Sequence, residues 1–110
     1  MFDIKCIVAI VERGKANKIV EAAKDAGASG ATIFYGRGTG ESEVKQFLKV
    51  NIEASKEVIL LLSEKDKFRE IMTAMVIAGK LKEPGKGIIF TIPITNLIGL
   101  HHRIDFEEIE

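Results

Sequence analysis

The feature that most constrains the fold of this chain is the order in which strand-like and helix-like hydrophobic periods alternate. Residues 2–11, FDIKCIVAIV, are rich in β-branched side chains and predict a buried strand. Residues 15–26 follow with Ile19, Ala22, Ala23 and Ala26 at helical spacing, Lys18, Glu21, Lys24 and Asp25 outside, and Gly27 as the stop. The segment ATIFY, between Gly30 and Gly36, predicts a second strand, and residues 37–46 carry no apolar period and predict an exposed loop. Two strand pieces come next, 47–52 and 58–62, with the polar EASKE between them predicting a bend or bulge. Over 64–79 a second amphipathic helix sets Phe68, Ile71, Met72, Met75 and Ala78 on one face, with Gly79 as its end. A turn-rich loop, LKEPGKG, precedes the last core strand at 88–94.

That order is β-α-β-β-α-β, and both helices have crossover length. The expected class is α+β: a ferredoxin-like antiparallel sheet with two helices on one face, in a single domain over 1–110 with a charged tail at 103–110. Two helices cover one face of the sheet, while the strands carry apolar residues for both. A symmetric homo-oligomer with its sheets packed inward resolves that surplus.

Sixteen basic and sixteen acidic residues cancel, which removes the electrostatic basis for non-specific binding to nucleic acid or to an anionic membrane. The single Cys6 lies in an apolar run and reads as a small core residue; no disulfide within the chain is possible. Charges at Asp3, Lys5, Glu12 and Arg13 break the N-terminal apolar stretch, and no run approaches the roughly 20 residues of a membrane span. A cytoplasmic location without direct membrane insertion is expected.

Two glycine clusters have chemical potential. Gly30, Ala31 and Thr32 lead into Gly36, Arg37, Gly38, Thr39 and Gly40, and a second cluster, Pro84, Gly85, Lys86 and Gly87, directly precedes a strand. Backbone N–H groups bared by glycine can cradle phosphate oxygens, and Arg37 and Lys86 put positive charge beside them. Neither cluster is a GxxxxGK[ST] loop. His101, His102 and Arg103 form a small basic patch near the C-terminus, although adjacent histidines on a strand point opposite ways. No nucleophile–base–acid constellation and no CxxC or HExxH spacing is present, so neither an enzyme nor a metal site is expected.

Taken together, SGATIFYGRGTG, the exposed loop that follows, and PGKGIIFTIPI resemble the PII nitrogen-regulatory signal-transduction proteins over nearly the whole chain. The resemblance implies a ferredoxin-like homotrimer that binds an adenine nucleotide between subunits. It also implies that a protein partner, such as a membrane transporter or an enzyme, is regulated through the loop at about 38–46. By position, Gly30, Ala31 and Thr32 match the segment near the adenine, and Gly38 and Gly40 match the base of the loop. Gly85 and Gly87, with Lys86 between them, match the phosphate loop. Where the family has a lysine this chain has Ile88, two C-terminal arginines fall at Gly99 and His101, and an Arg-Gln pair becomes Glu41 and Ser42. Arg37, Lys86 and Arg103 compensate in part. The remaining charge suits ADP, AMP or a cyclic nucleotide better than Mg-ATP, and the usual 2-oxoglutarate site lacks its glutamine. The only tyrosine, Tyr35, lies on the strand, so uridylylation of a loop tyrosine is not expected.

Two other readings share the fold. A CutA-like or scaffolding trimer would use its glycines for packing alone and bind no nucleotide. A small acylphosphatase-like enzyme would need an anion-binding loop before the first helix, for which Arg13, Gly14 and Lys15 are the only counterpart.

Overall fold

The computed structural model of the chain describes residues 4–38 and 54–99. They fold as β1 (Ile4–Glu12), α1 (Ala16–Asp25), β2 (Thr32–Gly38), β3 (Ala54–Glu64), α2 (Phe68–Gly79) and β4 (Gly87–Pro93). The strands make one sheet in the order β2-β3-β1-β4, with every neighbouring pair antiparallel. This is the expected ferredoxin-like arrangement.

Register assigns each side chain to a face. Ile7, Ala9 and Val11 on β1 stand beside Leu61, Ile59 and Glu57 on β3. Except for Glu57, these residues pack with Ile19 and Ala23 of α1 and Ile71 and Met75 of α2 into one core. Burying each large aliphatic side chain there contributes about 1.5–3 kcal/mol. The methionine stripe is core, as its spacing implied. The other face carries Val8 and Ile10, Val58 and Leu60, Phe34, and Ile88, Phe90 and Ile92. Phe34, Ile88, Phe90 and Ile92 are exposed, so the apolar surplus anticipated from the sequence is a real sheet face that no described element covers.

The bend expected at EASKE is absent from residue 54 onward, because β3 runs unbroken from Ala54 to Glu64. Lys56 pairs with both Glu12 and Gly36, and Glu57 with both Val11 and Tyr35, so ladder bonds on two sides hold the polar stretch straight. Strand β2 extends through Arg37 and Gly38, which pair with Ser55 and Ala54 and so take two residues from the expected loop. The strand expected at 47–52, most of the loop at 38–46 and the tail at 103–110 lie outside the described residues.

Helix α1 ends as the sequence indicated. Gly27 takes φ +120°, its N–H donates to the Lys24 carbonyl (3.0 Å), and the Ala28 N–H donates to the Ala23 carbonyl (2.9 Å), a Schellman closure. Helix α2 closes the same way, but the left-handed residue is Lys80 (φ 53°) and not Gly79. Gly79 serves packing: a Cβ there would lie 2.8 Å from Ile19 Cδ1 and 3.1 Å from the Leu81 side chain. A left-handed lysine costs about 1 kcal/mol. Lys80→Gly is therefore expected to raise unfolding stability by about 0.5–1 kcal/mol; a lower denaturation midpoint for that variant would refute this account of the cap.

Candidate functional site

Both glycine turns rise from the same end of the sheet. Gly36 pairs with Lys56, which pairs with Glu12, while Gly87 pairs with the neighbouring Val11. The end of β2 and the start of β4 therefore flank β3 and β1, about 14 Å apart at the usual strand spacing. Gly30, Ala31 and Thr32 lie at the opposite end of β2, roughly 20 Å from Gly38. One chain thus brings Gly38 to the end of the sheet that carries Gly85, Lys86 and Gly87, and holds Gly30, Ala31 and Thr32 away from them.

Thr32, Gly36 and Gly38 alternate onto the open, helix-free face. Arg37 alternates onto the helix side with Tyr35, away from the face that carries Ile88. Of the loop glycines, Gly85 (φ +79°) has nothing within 4 Å of a would-be Cβ, whereas Gly87 (φ +138°) packs against the β1 backbone. Gly40, His101 and Arg103 lie outside the described residues.

A cation missed in the sequence occupies this end of the open face. Lys56 belongs to the stretch read as a polar connector, yet extending the alternation of Leu62, Leu60 and Val58 by one step places it on their face. Its stem lies over Gly38, where an added Cβ would meet Lys56 Cε at 3.2 Å and Cγ at 3.3 Å. The missing side chain at Gly38 is what gives the lysine room.

At the other end, β2 pairing stops at Thr32 with Leu60, and no described strand continues along the outer edge of residues 61–64. A pocket of ≈ 540 Å³ opens there, lined by Ile4, Cys6, Gly30, Thr32, Leu62 and Lys67 among others. Burial pushes the Cys6 thiol above its ordinary pKa, which keeps it protonated and weakly nucleophilic at neutral pH.

Glu57 is the second residue that sequence reasoning missed. It is 7% exposed, and its Oε1 accepts the N–H groups of Gly14 (2.7 Å) and Ala16 (3.0 Å). Helix α1 has no side-chain cap of its own and no acid in its first turn, so a carboxylate from β3 closes it. The turn at Arg13, Gly14 and Lys15 thus already holds an internal carboxylate. Among the described residues no cluster of His, Cys, Asp and Glu could hold a metal ion, and no helix is long and apolar enough to cross a membrane.

No curated protein matches the chain at a significant level. Among solved structures, PII of Arabidopsis thaliana bound to citrate is similar in fold, with a TM-score of 0.72 at 21% identity, covering 91% of this chain and 85% of that one. The family model described as "Nitrogen regulatory protein P-II" matches residues 4–103, a span that includes both glycine clusters and all four strands. The chain therefore belongs to the nitrogen regulatory protein P-II family.

Proposed function

We propose that this protein is a homotrimeric regulatory subunit that binds an adenine nucleotide between neighbouring copies and controls a protein partner through the loop at 38–46. The observation that carries this reading is that Gly30, Ala31 and Thr32 lie at one end, and Gly38 and Gly87 at the other, of a sheet whose open face is apolar. A second copy laid against that face can bring its own Gly30, Ala31 and Thr32 toward the Gly38 and Gly85 end of the first. Burying the open face would supply the association energy.

The charge balance favours a ligand with little phosphate charge. Ile88, 57% exposed, offers no charge where the family has lysine, and Arg37 points to the helix side. Lys56 on the open face and Lys86 between the loop glycines remain as candidate phosphate partners, and each charge-assisted bond contributes about 1.5–3 kcal/mol. ADP, AMP or a cyclic nucleotide suits such a site better than Mg-ATP.

Calorimetry of the size-checked oligomer against ATP, ADP, AMP and cyclic AMP, with and without Mg²⁺, tests this. Micromolar binding of a low-charge nucleotide, weakened by Lys56→Ala, is the expected result. Absence of heat with all four would leave a trimeric scaffold and overturn the nucleotide reading.

A further inference from the structure

On the helix side of the sheet, beside the base of the 38–46 loop, stands a group that the nucleotide reading does not use. The Arg13 guanidinium lies over the Tyr35 ring, 5.4 Å from its centroid, and Tyr35 is 68% exposed. Arg37 follows two residues along β2 on the same face and is exposed. Lys15, also exposed, completes the turn. The chain as a whole is neutral, and here three cations, Arg13, Lys15 and Arg37, stand over the buried Glu57 carboxylate.

We propose that Arg13, Tyr35 and Arg37 form the contact surface for an acidic, extended segment of a protein partner. Three observations support it. Tyrosine and arginine, with tryptophan, are enriched among the residues that dominate interface energetics: tyrosine supplies large contact area with few torsions to fix, and arginine supplies directional donors. The group is preorganised: Glu57 pins the Arg13 turn from below, and ladder pairing holds Tyr35, so little ordering remains for a partner to impose. The surface is also continuous with the base of the loop already assigned to partner docking, and its sign selects an acidic counterpart. The proposal rests on that docking assignment but not on nucleotide binding.

The test uses the full-length isotopically labelled oligomer titrated with an acetylated, Asp- and Glu-rich octapeptide carrying one central leucine, followed by amide chemical shifts. Saturating shifts are expected on residues 13–15 and 35–37, lost at high salt. Arg13→Glu should weaken the peptide by about tenfold, Tyr35→Ala should weaken it several-fold, and Tyr35→Phe should retain it. Shifts spread evenly over Lys65, Lys67, Lys80 and Lys82 would overturn the proposal. So would the same shifts from inorganic phosphate or from anionic vesicles alone. Nucleotide calorimetry on Arg13→Glu separates the two readings. Unchanged nucleotide affinity with lost peptide binding supports the corner, while loss of both assigns Arg13 to the nucleotide site and overturns it. Should the parent protein bind no nucleotide, the peptide titration still decides the corner.

Discussion

Gly87→Val is expected to unfold the protein or leave it barely stable, and not merely to block a ligand. From sequence, Gly87 is a glycine whose bare backbone admits phosphate. The structure adds a stronger constraint. A Cβ at Gly87 would lie 2.5 Å from the Ile10 carbonyl oxygen and 3.2 Å from the Val11 Cα, with φ at +138°. Backbone cannot rotate aside as a flexible side chain would, and a β-branched residue tolerates that φ worst of all. Overpacking and backbone strain of about 1–3 kcal/mol each together remove a large part of the ~5–15 kcal/mol that a domain possesses. Gly85→Ala is the informative partner: open space surrounds Gly85, so only the strain of φ +79° is incurred, about 1 kcal/mol. Urea unfolding of both variants checks this. A Gly87→Val protein with a midpoint near the parent's would show that β4 can shift away from β1.

Glu57→Ala is expected to cost about 3–4 kcal/mol, because it strands two N–H donors at the start of α1 and removes the charge that offsets the helix dipole. Glu57→Gln keeps an acceptor oxygen without the charge and should cost about half as much. Denaturant midpoints for the pair, with exposed Glu21→Ala as control, make the comparison. If Glu57→Ala and Glu21→Ala unfolded together, the carboxylate would have no capping role. The same experiment bears on Arg13, since a loosened turn would also release the guanidinium from Tyr35.

Local signals in the sequence were sufficient for much of this architecture. Helical spacing fixed α1 and α2, Gly27 marked the end of α1, and the alternating periods determined the βαββαβ order. These features depend on neighbours within a few residues, which is the range over which periodicity and capping act. The glycine clusters were legible for the same reason. Features set by distant partners were not. Glu57 caps a helix 41 and 43 residues away in sequence, so no capping motif could reveal it, and a polar stretch read as a bend became the first residues of β3, with Lys56 and Glu57 paired on both sides. Gly79 and Lys80 exchanged roles because the approach of α1, through Ile19, left no room for a side chain at Gly79. The assignment of Lys56 to the open face and Arg37 to the helix side followed from strand register. A single step in pairing inverts every side chain, so only the tertiary structure could decide which cations share a face with the glycine turns.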